Sequence, residues 1–213
     1  MPIATMRSSR TFGSPLIWGA AWVAAAAAGM GLFHRSMHTP GEASTPPAQQ
    51  AASQAPKVMF FAHPHCGCTT PSIDTLASIT AESSADVAVV LSGPAADRPD
   101  WQTTPNAKRT LQHSHLDIVH DPGGSLAERY GAHTSGHTVI YASSGDLVFS
   151  GGLSSARGMR GPSQGLGALE AALNDSTPAV SSAPVFGCRI ADTSARSAQT
   201  NQARLRTPEG ALP

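Results

Sequence analysis

The sequence predicts an α/β domain with a central mixed sheet flanked by helices, preceded by a single N-terminal transmembrane helix. Three observations predict it. An uncharged run of 23 residues, Thr11 to Phe33, stands near the start of the chain. Strand-like and helix-like stretches alternate between 57 and 174. Two cysteines in "AHPHCGCTTPS" (62–72) fall between the first such strand and the first such helix.

At a rise of about 1.5 Å per residue the uncharged run can cross a hydrocarbon core of about 30 Å. Arg7 and Arg10 precede it and Arg35 follows, so the positive-inside bias places the N-terminus in the cytoplasm and the rest outside. A cleavable signal peptide is the competing reading, with "AAAAAG" (24–29) offering small residues for a peptidase. Leu32 and Phe33 prolong the apolar run past that point and favour an uncleaved anchor. Either way the domain is exported. Residues 1–35 are thus read as a cytoplasmic stub and anchor. Residues 36–56, rich in Pro, Ser, Ala and Gln, are read as a flexible linker. The tail 191–213 has the same character and is expected to be disordered, which leaves 57–190 as the folded domain.

The 14 Lys and Arg balance 14 Asp and Glu, and no basic stripe alternates with aromatics, which argues against nucleic acid. Hydrophobic residues make up 40% of the chain, many of them alanine, so the core should be modest.

"KVMFFA" (57–62) has the length and continuous apolarity of a strand buried on both faces. After the cysteines, Thr70 can cap a helix and Pro71 can open it, with Ile73, Leu76, Ala77 and Thr80 on one face. "DVAVVLSG" (86–93) is a second buried strand. "PNAKRTLQHSH" (105–115) allows a short helix, and "LDIVHD" with a small helix near 124–130 follows. In "HTVIYASSGDLVFSGG" (137–152) two β-rich runs flank a turn, which predicts a hairpin. "PSQGLGALEAALN" (162–174) closes the domain as a helix with Leu166, Leu169 and Leu173 on one side.

This order, with a cysteine motif at the end of the first strand, matches the thioredoxin-like fold. The usual C-x-x-C spacing is one residue short. "FAHPHCGCTTPS", "TSGHTVIYASSGDLVFSGGLSSARG" and "PVFGC" together resemble a bacterial membrane-anchored thioredoxin-like family, RedB-type, over 57–190 and the anchor. The resemblance implies a redox role, with the anchor as a single pass of the bacterial inner membrane and the domain facing the periplasm or cell exterior.

A helix start lowers a thiol pKa because free backbone N–H groups and the helix dipole favour negative charge. Cys66 and Cys68 sit just before such a start. In a strand, residues two apart stand nearly 7 Å apart, too far for a disulfide, so a C-x-C bond requires a turn. Gly67 permits one through positive φ. A staple closed over one residue adds almost no chain-entropy stabilisation, which weighs against a purely structural bond. Such a strained bond is labile, and the pair reads as a thiol-disulfide oxidoreductase using the C-x-C motif, with protein thiols or disulfides as substrate and no cofactor. Cys66 is the expected nucleophile and Cys68 its resolving thiol. Cys188 is a further resolving thiol, a metal ligand or a buried hydrophobe.

His137 stands where a thioredoxin-fold protein carries its cis-proline. It is either an imidazole touching the thiols or a strand-start residue bonded to backbone. Gly136 and Arg157 are marked as substrate contacts. Two other readings stay open. One is a copper-binding or copper-delivery protein using Cys66, Cys68 and His137 or a histidine of "HPH" (His63, His65), an arrangement that resembles Sco-type proteins. The other is a non-catalytic binding module on the same scaffold.

Overall fold

A computed structural model describes residues 15–94 and 101–190. The chain divides into two units, Met1–Met37 and His38–Pro213. The stub before residue 15 and the tail 191–213 lie outside the described residues.

In the first unit, α1 (Pro15–His38) carries no charged residue from Ile17 to Phe33. Ile17–His38 is long and apolar enough to cross a membrane, with none of it buried against protein. Trp18, Trp22, Val23, Met30 and Phe33 are all exposed.

The second unit is built on a six-stranded mixed sheet of order β3-β2-β1-β4-β5-β6. Its elements follow one another as β1 (Lys57–Ala62), α2 (Thr70–Thr80), β2 (Asp86–Gly93), α3 (Pro105–Thr110) and β3 (Asp117–Pro122), then α4 (Ser125–Arg129), β4 (His137–Tyr141), β5 (Leu147–Gly152), α5 (Gln164–Leu173) and β6 (Ser182–Ala183). β1 lies in the middle, parallel to β2 and antiparallel to β4. β4 and β5 form the expected antiparallel hairpin.

Side chains alternate along a strand, so β1 feeds two cores. Val58, Phe60 and Ala62 pack with Ile73 and Leu76 of α2, Ala107 of α3 and Leu166 and Leu169 of α5. Met59 and Phe61 face the other way, toward Val139, Tyr141, Ala127 and Tyr130. Phe60 and Phe61 are both fully buried; truncating either to alanine should cost about 3–5 kcal/mol.

Among the described residues, the helix packed on the second face is the five-residue α4. Residues 41–53, expected to be a flexible linker, run along the domain there as a strap. Gly41 N–H donates to the Val185 carbonyl, Ser44 N–H to Gly131, Gln50 N–H to Gly145 and Ser53 N–H to Ser143, while Leu147 N–H donates to Ala48. Tyr141 Oη donates to the Pro47 carbonyl at 2.8 Å, and Gln50 Nε2 donates to Tyr130 Oη at 2.6 Å. The polar composition that looked like a tether supplies the bonds by which the strap caps two buried tyrosines.

Candidate active site

The chain leaves β1 at Ala62 and winds into α2 through a tight turn. Cys66 N–H donates to the His63 carbonyl at 3.0 Å, and Thr69 N–H donates to the Cys66 carbonyl at 3.1 Å. Asn106 of α3, fully buried, locks this turn from the side. Its Nδ2 donates to the carbonyls of His63 (2.8 Å) and Cys66 (3.1 Å), and its Oδ1 accepts from Thr70 Oγ1 at 2.8 Å. Thr69, not Thr70, is the N-cap of α2, and it makes no capping bond. Its hydroxyl donates instead to Cys66 Sγ at 3.1 Å. Gly67 does not use the left-handed region expected of it.

A second wall comes from the loop before β4 and the segment after β6. Ser135 Oγ accepts from His63 N–H at 2.9 Å and lies 2.8 Å from Thr69 Oγ1. Ser135 N–H donates to the Cys188 carbonyl, and Ile190 N–H to the His133 carbonyl. A Cβ on Gly187 would come within 1.8 Å of the Ser135 carbonyl oxygen, so only glycine allows this approach. Arg157 donates to the Gly187 carbonyl. The strap holds the segment from its far side, since Gly41 bonds Val185 and the Glu42 carboxylate accepts from Arg189 at 3.1 Å.

The two walls bring three thiols together. Cys66 Sγ lies 3.1 Å from Cys68 Sγ and 3.0 Å from Cys188 Sγ. Cys66 is buried, Cys68 half-buried and Cys188 exposed. The Cys66 thiol is pulled down to about 4, chiefly by the Cys68 thiol donating to it, against burial, with Thr69 and Cys188 helping. Cys68 is pushed up, mostly by its hydrogen bond to Cys66 and then by burial. Cys188 is pushed up by burial first and then by Cys66. The cluster therefore loses its first proton at Cys66. The helix end favours that charge too, since α2 carries no acid in its first turn.

His137 is not among the thiol partners. It is fully buried on β4 opposite Phe61, and its Nε2 bonds Ser150 Oγ at 2.7 Å. Burial, with His133 nearby, lowers its pKa to about 4, so at neutral pH it has no charge to hold a thiolate. Its Nε2 thus bonds a serine hydroxyl and not a thiol, and the sulfur gathered with Cys66 and Cys68 is that of Cys188. His63 and His65 pair with each other, His63 Nδ1 accepting from His65 N–H at 3.2 Å. Gly136 serves the backbone, with φ +95° and its N–H on the Phe61 carbonyl at 2.7 Å. Arg157 holds the Cys188 segment. Asn106, Thr69 and Ser135 were not singled out by sequence; "TSGHT" contained Ser135, but its hydroxyl looked like any loop serine.

The βαβ start, the hairpin and helix that follow, and a cysteine turn between β1 and α2 define a thioredoxin-like fold. The chain resembles, in structure, a hypothetical protein of Sinorhizobium meliloti (18% identity, 71% of this chain and 93% of that one, TM-score 0.53). It also resembles an uncharacterised conserved protein of Geobacillus kaustophilus (20% identity, 73% and 93%, TM-score 0.52). These likenesses concern the fold alone. No protein-family profile and no curated protein matches the chain.

Proposed function

We propose that the protein is a membrane-tethered thiol-disulfide oxidoreductase with Cys66 as nucleophile and Cys68 as resolving thiol. The observation that carries this reading is the Cys66 sulfur, held at the turn before α2 with the Thr69 hydroxyl and two thiols around it. The Cys66 thiolate attacks one sulfur of a partner disulfide, and the partner's other sulfur leaves as a thiolate. Cys68 then gives up its proton and attacks Cys66 Sγ. The Cys66–Cys68 bond forms, the partner's second sulfur leaves, and two electrons have passed to the partner. The reverse sequence transfers the protein's own disulfide. The likeness to the RedB-type family supports this chemistry, and α1 supports a single-pass anchor with the domain on the periplasmic or outer side of a bacterial inner membrane.

The test is a redox titration of the full chain in detergent, with alkylation and mass mapping of all three cysteines. A reversible Cys66–Cys68 bond with a potential of about −120 to −270 mV is expected, the span of known exchange proteins. Its absence across that range would end the reading.

A further inference from the structure

We infer that Cys66, Cys68 and Cys188 together form a binding site for one monovalent copper ion, held by three thiolates. This goes beyond thiol exchange, in which Cys188 has no assigned part.

The arrangement of the sulfurs is the first reason. For exchange at Cys66 between the other two, attacking and leaving sulfurs stand on opposite sides, which at these separations would put the outer pair about 6 Å apart. All three instead lie within 4.8 Å of one another, a triangle and not a line. Three sulfurs at about 2.3 Å around a central ion are spaced about 4 Å apart. The two contacts of 3.0 and 3.1 Å thus need to open by about 1 Å each, on the same centre.

The donor set is the second reason. Among the described residues, the group able to gather on one ion consists of these three cysteines, with no histidine and no carboxylate. Thiolates select soft ions, and a set of three without a fourth protein donor suits Cu(I) better than structural zinc, which takes four.

Preorganisation is the third. Asn106 fixes the backbone of Cys66, while Ser135 N–H and the Gly187 carbonyl on Arg157 fix that of Cys188. The Arg157 guanidinium also lies beside a site whose three thiolates outnumber the ion's single charge. Cys68 is half-buried and faces Gly158, which sets no side chain against it; even a Cβ there would come only to van der Waals contact, 3.8 Å from Cys68 Cβ. Exposure of Cys188 makes the ion reachable, so it can be loaded and passed on.

The experiment is an anaerobic titration of the reduced full chain in detergent with Cu(I), competed by a chromophoric chelator. One ion per chain should be withheld, and X-ray absorption should show three sulfur neighbours. Loss of an outer partner alone costs about 10- to 100-fold in metal affinity, so Cys68→Ser and Cys188→Ser should each weaken binding by at least about a hundredfold. Circular dichroism of both variants checks their folding; Cys188 is exposed, so at least this variant should keep it. No withheld copper, or full affinity in Cys188→Ser, overturns the site. The same samples, mass-mapped after oxidation, keep the two readings apart. A reversible Cys66–Cys68 bond without copper overturns only the metal site, whereas copper binding without a reversible bond overturns only the exchange reading.

Discussion

Cys66 and Cys68 reach the site through a turn between neighbouring elements, whereas Cys188 arrives from a segment 122 residues beyond Cys66. The turn joins adjacent elements, the end of β1 and the start of α2, and takes one clamp from farther along the chain, Asn106 of α3 on two of its carbonyls. The Cys188 segment has almost no regular structure of its own. It is held by backbone bonds to residues 133–135, by Arg157 and by the strap. A locally built half should tolerate distant changes, and a half assembled from far contacts should not.

The largest effect should come where the halves meet. Cys66→Ser is expected to reduce trapping of mixed disulfides with a model disulfide substrate to background, whereas Cys68→Ser should let them accumulate, as read by non-reducing gels and mass spectrometry. Retained trapping in Cys66→Ser would move the nucleophile elsewhere.

Stability comes next. A chain beginning at residue 57 lacks the strap and should unfold in urea at lower concentration than one beginning at residue 39. At about 0.5–1.5 kcal/mol per net hydrogen bond the loss should be at least about 2 kcal/mol, and equal stability would show the strap to be a passive linker.

Two glycines then sharpen the contrast directly. Gly187→Ala forces the Cys188 segment off Ser135 and should cost about 1–3 kcal/mol. Gly67→Ala faces open space and should stay within about 0.5 kcal/mol. Equal costs would erase the distinction between the halves.

Smaller still are the effects on titration. With its pKa near 4, Cys66 should be ionised throughout pH 5–8, so thiolate absorbance near 240 nm, normalised per cysteine, should hold steady there and fall only as pH drops through about 4. An ordinary thiol would instead gain thiolate about tenfold per unit up to its pKa near 8.5. Thr69→Val removes a hydroxyl donor and should move the Cys66 pKa upward. His137→Ala should leave that titration in place and show only in stability, through the lost Ser150 bond. A shifted thiol titration in His137→Ala would restore the imidazole to the site.

Much of the fold could be read along the chain because its signals are local. Continuous apolar runs marked β1 and β2, Pro71 marked the start of α2, and paired β-rich runs around "SSGD" marked the hairpin. The strap could not be read this way, because a Pro-, Ser- and Gln-rich stretch looks the same whether it is solvated or bonded to backbone 87 to 144 residues away. His137 misled for a related reason. Its position beside the loop was correct, but strand alternation points it with Phe61 into the second core.

The sequence by itself determined the apolar helix, the strand and helix order and a cysteine pair at a helix start, since each depends on residues within a turn or two. Tertiary structure alone decided which groups surround the Cys66 sulfur. Hydrogen bonds act over about 3 Å; Cys188 reaches the Cys66 sulfur, Asn106 the Cys66 carbonyl and Ser135 the Thr69 hydroxyl at that distance only when the sheet has closed and Gly187 has let two backbones meet.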